Sequence, residues 1–167
     1  MAIAPTLLPE FDHEMAGCRT TLERIPSTRF DFKPHAKSFS LGQLANHLAS
    51  VPSWATTTLE TTELDFIDPD VAAKMPLPSA TTEGLLETFD RGVTAARAAL
   101  AAASDADLMV VWTGKSHGKV VFAFPRLAVY RSFIMNHMIH HRAQLALYLR
   151  LLDLPVPALY GPTADET

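Results

Sequence analysis

Two histidines four residues apart, His137 and His141, lie in the long stretch RLAVYRSFIMNHMIHHRAQLALYLRLL, residues 126–152. In a helix, residues i and i+4 stand one turn apart on one face, so both imidazoles can point at one atom. His140 sits about 100° round from His141 and is expected to face away. A third histidine, His47, occurs far upstream in SLGQLANHLASVPSW, residues 40–54. Three imidazole nitrogens converging from two helices form a ligand set for a divalent metal with coordination positions left open, which is the catalytic rather than the structural arrangement. Such a metal lowers the pKa of water or a thiol, or polarises a carbonyl. Imidazole suits zinc, nickel, iron and copper alike, so the residue types do not choose the metal.

The competing reading makes each of these a hydrogen-bonded core histidine, because a buried imidazole must be satisfied in some way. Two on one apolar face, with a third on another helix, shift the balance towards metal. Gln43, one turn before His47, and Gln144, three residues after His141, are placed either to orient those rings or to serve as ordinary polar residues at a helix edge. No Asp or Glu lies on the inner stripe of either helix, so no general base is assigned and catalytic residues beyond the metal ligands remain unknown.

The elements that must hold these residues follow from apolar periodicity. Residues 5–26 form a first helix with a seam of Leu8, Phe11, Met15, Cys18, Leu22 and Ile25. Residues 27–39 are a connection. Ser40 to Gln43 reads as a capping box that opens a second helix, with Leu41, Leu44, Leu48, Val51 and Ala55 on its buried face and a kink at Pro52. Residues 61–80 hold three prolines and are expected to form a long crossover lying across one end of the molecule, with a short turn of helix at Asp68–Asp70. Residues 81–103 form a third helix with Leu86, Phe89, Val93, Ala96 and Leu100 inward. Residues 107–124 turn to strand chemistry, a β-hairpin turning between Gly114 and Gly118. Residues 126–152 are predicted as one unbroken helix whose inner stripe is Leu127, Tyr130, Ile134, Met138, Leu145, Tyr148 and Leu152, with His137 and His141 within it. The tail, with Pro155, Pro157 and Pro162, packs extended on the body. The expected architecture is all-α: a four-helix bundle with long crossover connections and a small β-hairpin between helices three and four, one domain over residues 1–167.

Composition narrows the function classes. The 167 residues are 48% hydrophobic and 19% charged, which describes a globular chain. Fourteen Lys and Arg against 18 Asp and Glu give a net charge of −4 with no basic cluster, which argues against nucleic acid. No apolar run reaches membrane-span length, and the N-terminus has no basic n-region, so a cytoplasmic location is expected. The single Cys18 falls on the first seam, where packing is its expected role. His13, His35 and His117 fall off the seams or in turns and are expected at the surface.

The segment NHMIHHRAQLALYLRLLDLPVPALYGPTADE resembles the signature of the DinB-like (damage-inducible B) superfamily of metalloenzymes, and SLGQLANHLASVPSW resembles its first-histidine region. The resemblance extends over nearly the whole chain in helix order. It implies a four-helix bundle that forms homodimers, with a divalent metal (Zn, Ni or Fe) on His47, His137 and His141. Members include thiol transferases and maleylpyruvate isomerases, which implies a small-molecule substrate and makes a low-molecular-weight thiol a candidate cofactor. The leading reading is therefore a metal-dependent transferase or hydrolase. The alternative is a non-catalytic metal-binding dimeric bundle acting as a sensor or interaction module.

Because only His141 of the adjacent pair lies on the inner stripe, His141→Ala is expected to lower metal content far more than His140→Ala. Elemental analysis showing equal loss in both variants would refute the assigned facing.

Overall fold

The structure, a computed structural model, describes residues 2–73 and 75–166. Met1, Lys74 and Thr167, which fall within the expected domain and crossover, lie outside the described residues. The chain is mostly helical with a small three-stranded sheet. It has more helices than the four of the expected bundle, because two of those are broken and short ones stand beside them, among them the expected turn after Asp68.

Helix α1 spans Ala4–Glu23 and opens with Pro5 in its first turn, where the missing N–H has no intrahelical partner to lose. Leu7, Phe11, Met15, Cys18 and Leu22 are buried on one face, continued by Ile25. Leu8, expected on that seam, is only half-buried. Helix α2 (Leu41–Ser50) starts with the expected capping box: Ser40 Oγ accepts from Gln43 N, and Gln43 Oε1 accepts from Ser40 N. Pro52, expected to kink one continuous second helix, instead divides it: α2 ends at Ser50 and Pro52 is the first residue of α3 (Pro52–Glu60). The predicted crossover is more ordered than expected. It contains strand β1 (Glu63–Asp65) and a single turn, α4 (Pro69–Ala72), capped by Asp68.

Thr81 caps α5 (Thr82–Ala102), accepting from Gly84 N. The inward residues are Leu85, Phe89, Gly92, Ala96 and Leu100, whereas Leu86 and Val93 are half-buried. The buried face is thus rotated about one residue from the predicted seam. Residues 105–109, expected to lead into strand, instead form the short helix α6 (Asp105–Met109) behind a Ser104 capping box. The hairpin follows, β2 (Val111–Ser116) antiparallel to β3 (Lys119–Pro125), and β1 adds to the other edge of β2 in parallel, giving the order β1-β2-β3. The reversal occurs at His117-Gly118, both at positive φ (52° and 73°), the conformation a two-residue hairpin loop demands. Gly114 lies inside β2, so the turn is tighter than predicted; His117 is exposed at its tip.

The predicted final helix is three pieces: α7 (Arg126–Val129), a π-helical segment over Tyr130–Met135, and α8 (Asn136–Leu151). The π segment has a phase reason. Val129 and Met138 are both buried, yet nine residues at about 100° each would put them on opposite sides of an unbroken α-helix. One extra residue in a π turn rotates the upstream part by about 100°, so that Arg126, Val129 and Tyr130 share a face with Met138, Arg142, Leu145 and Leu149.

Helix α5 packs on α1, α2 and α3, while α8 packs on α1 and α2, all around one core. Within that core, Arg142 is 3% exposed and Glu14 6%. Arg142 Nη2 lies 2.7 Å from Glu14 Oε2, and Nη1 donates to the Glu14 carbonyl at 3.1 Å. The Tyr160 hydroxyl bridges the pair, accepting from Arg142 and donating to Glu14 at 2.7 Å. α1 has glycine beside the guanidinium: a Cβ on Gly17 would lie 2.7 Å from Nη1. The tail is held on the body further along by Arg150–Asp165 and Arg24–Glu166 ion pairs. Among the described residues, no helix is long and apolar enough to cross a membrane.

Glu14→Ala strands the buried Arg142 guanidinium and is expected to destabilise the protein by about 3 kcal/mol or more. Tyr160→Phe removes a single hydroxyl and is expected to cost about 1 kcal/mol. Urea denaturation measures both; equal effects would mean that the Glu14–Arg142 pair is not the buried charge described.

Candidate metal centre

The long-range step is the pairing of α2 with α8, which brings His47 to His137 and His141. One nitrogen from each ring lies within 4.8 Å of the others, and all three rings are half-buried. His47 Nε2 and His137 Nε2 are 2.8 Å apart and share a hydrogen bond. The His141 ring centroid stands 4.7 Å from His47 and 4.5 Å from His137. The histidines do not sit at the centre of α8's buried stripe, which belongs to Met138, Arg142, Leu145 and Leu149; they flank it on the side facing α2. His140 is exposed, as predicted, and so are His13 and His35.

The two glutamines part company. Gln144 Oε1 accepts from His141 Nδ1 at 2.7 Å, which leaves Nε2 as the unprotonated, lone-pair-bearing nitrogen. Gln43 instead has its side chain engaged in the α2 capping box and makes no bond to His47. A residue that the spacing reading passed over closes the site: Trp54, whose ring meets His47 edge-on at 5.5 Å and His137 at 5.4 Å. It is seven residues after His47, two helical turns along the same face, and that spacing was a usable signal. Phe39 adds a ring 6.3 Å from His47. Tyr160 and the tail bind Glu14 and Arg142, on the α1 side of α8.

Electrostatics keep the rings neutral. Burial, followed by the neighbouring His141, His47 and His140, pushes His137 down to about 4. Burial followed by His141 lowers His47, and burial lowers His141 against the opposing hydrogen bond from Gln144. Neutral imidazoles are what a metal needs as ligands. Two nitrogens on one tetrahedral metal lie about 3.3 Å apart; the His47–His137 pair at 2.8 Å, in a set contained within 4.8 Å, is compatible with a divalent metal drawn in among the three rings. Cys18 takes no part. It is fully buried beside Arg142, and burial raises its thiol to about 12.

On the outer side of α2, a cleft of about 420 Å³ runs beneath residues 75–79 of the crossover, with His47 on its wall. Asn46 ties that segment down: its side chain accepts from Ser79 N at 2.6 Å and donates to the Ser79 carbonyl at 3.0 Å.

The geometry defines a mostly helical protein with a cluster of three neutral histidines able to hold a divalent metal. The sequence profile of the DinB family matches residues 4–167, and the chain belongs to that family. Three solved structures share the fold. A DinB-like protein from Bacillus cereus ATCC 10987 has a TM-score of 0.68 at 20% identity, covering 95% of this chain and 98% of its own. One from Bacillus subtilis has a TM-score of 0.71 at 14% identity, covering 95% and 99%. A DinB family protein from Exiguobacterium sibiricum has a TM-score of 0.64 at 20% identity, covering 92% and 94%. Comparison with curated proteins gives no match.

The depressed histidine pKa values set a pH dependence for metal-stripped protein. The unfolded chain takes up protons near pH 6.5, while folded His137 resists them down to about 4, so stability is full above pH 6.5 and falls as pH drops between those values. Urea midpoints of metal-free protein should decline across that window, and less steeply in His137→Gln. An unchanged slope in the variant would count against the assignment.

Proposed function

We propose that this protein is a metal-dependent enzyme of the transferase or hydrolase type, with a divalent metal (zinc, nickel or iron) held by His47, His137 and His141. The observation that carries the reading is the convergence of three neutral imidazoles, 90 residues apart in sequence, with one of them tautomerically fixed by Gln144. Bound there, the metal supplies Lewis acidity that makes water or a low-molecular-weight thiol a nucleophile at neutral pH. The chain's own residues do the rest. Gln144 keeps the His141 Nε2 lone pair aimed inward. The Trp54 edge limits water on one side of the cluster, and the cleft beside His47 offers a small-molecule substrate a place to approach. Half-burial of all three rings leaves the cluster reachable.

One observation favours the second reading, a metal-binding module without turnover: among the described residues, no carboxylate joins the histidine cluster to serve as general base. We also read the helical columns α1, α2–α3, α5 and α7–α8 as one four-helix bundle forming a single domain. The cytoplasm is its proposed location. Pairing of two copies is proposed over the exposed apolar side chains of the sheet, Val111, Val120, Val121 and Phe124.

Mass spectrometric metal analysis of untagged protein is the test. We expect close to one metal per chain in the wild type, lost in His137→Ala, from a preparation that runs at twice the chain mass in light scattering. A wild type that stays metal-free after reconstitution would sink the enzymatic reading, and a monomer mass at every concentration would sink the pairing.

A further inference from the structure

The cleft beside His47 is polar by residue type, but most of its polar groups are committed to hydrogen bonds of their own. Its polar wall consists of Ser40, Gln43, Asn46, Ser50, Ser79 and Thr88, with His47. Ser40 and Gln43 bond each other's backbone in the capping box. Asn46 is engaged by Gly42 and Ser79. Ser50 donates to the His47 carbonyl at 2.8 Å, and Ser79 to the Thr81 carbonyl at 3.0 Å. What remains is Thr88, the NH2 group of the Gln43 side chain, the Ser50 oxygen as an acceptor, and His47. The rest of the lining is apolar: Phe30, Met75, Pro76, Leu77 and Pro78. Among the described residues, no Asp, Glu, Lys or Arg lines the space. Leu77 stands 90% exposed at its lip, an apolar side chain with no cover of its own.

The cleft also has a direction. Phe30 packs at the level of Gly42, and Ser79 at the level of Asn46. Gly42 precedes His47 by five residues of α2, or about 7 Å of helix rise. A ligand with its polar head at His47 therefore lays its tail towards Phe30.

Resting on the metal-centre reading above, we infer that the substrate of this site is an uncharged molecule with an apolar alkyl or aryl body, which lies in the cleft along α2 while its single polar, reacting head meets His47. A carboxylate or ammonium entering this space would shed water and find no opposite charge among the described residues, whereas each buried methylene is favourable.

The test uses full-chain, metal-free protein, so that its outcome does not depend on whether the histidines take a metal. Backbone amide NMR shifts are followed on titration with hexanamide, hexanoate and hexylammonium, which share a six-carbon chain and differ in charge. Hexanamide is expected to bind at least tenfold more tightly than either ion and to shift residues of α2, Phe30 and 75–79. Affinity should rise roughly fourfold per methylene from butanamide to octanamide. Leu77→Ser, at an exposed position, should weaken hexanamide several-fold while leaving metal content unchanged. Equal or tighter binding of either ion, shifts confined to the sheet aromatics, or no binding at all would overturn the inference. Failure of the metal reading would instead appear as missing metal in wild-type protein, whatever the amides do.

Discussion

The structure depends on the phase of its last helix. A helix that must bury one face over more than twenty residues has to keep that face aligned with the core, and in an unbroken α-helix Val129 would fall opposite Met138 although both are buried. The π turn at Tyr130–Met135 absorbs the mismatch. Upstream it lets Arg126 reach the Thr61 carbonyl, tying this helix to the end of α3. Downstream it sets the rotation of α8, and that rotation puts His137 and His141 on the flank facing α2 instead of facing solvent or the centre of the core.

The same rotation buries a charge. Arg142 follows His141 directly, about 100° round the helix, so placing the histidines towards α2 sends the guanidinium towards α1. Burying a guanidinium is unfavourable unless an anion and hydrogen-bond acceptors meet it. Glu14, its own carbonyl and the Tyr160 hydroxyl do so, and Gly17 provides the room. The ion pair and the histidine cluster therefore restrain α8 from opposite sides. The C-terminal tail, attached through Tyr160, belongs to the ion-pair side, which leaves the histidines to be bordered by Trp54, Phe39 and the α2 cleft.

Local signals in the chain were readable where they rest on one turn of backbone. The Ser40–Gln43 capping box, a disturbance of the helix at Pro52 and the Asp68–Asp70 turn all follow from hydrogen bonds or ring sterics within a few residues. Errors arose where distant partners decide. The buried face of α5 is rotated from Leu86 and Val93 to Leu85 and Gly92, because Gly92 lies where α5 passes close to Pro52. Strand β1 was hidden in a proline-rich crossover because its only reason to be extended is pairing with β2, about 50 residues later. A stretch without Gly or Pro reads as an unbroken final helix, and the single apolar residue out of phase, Val129, does not by itself place a π turn.

For the candidate site, the sequence by itself determined the pair. His137 and His141 must share a helix face because the α-helical repeat is a property of the backbone, and His140 must point elsewhere for the same reason. It also placed His47 on the inward side of a capped, amphipathic helix. Only the tertiary structure decided that α2 lies against α8, that Gln144 and not Gln43 orients a ring, that Trp54 walls the cluster, and that the crossover covers a cleft beside His47. Those outcomes depend on which helices are neighbours and how far each is turned about its axis. Both are set by the fit of whole faces across the core, which no single segment encodes.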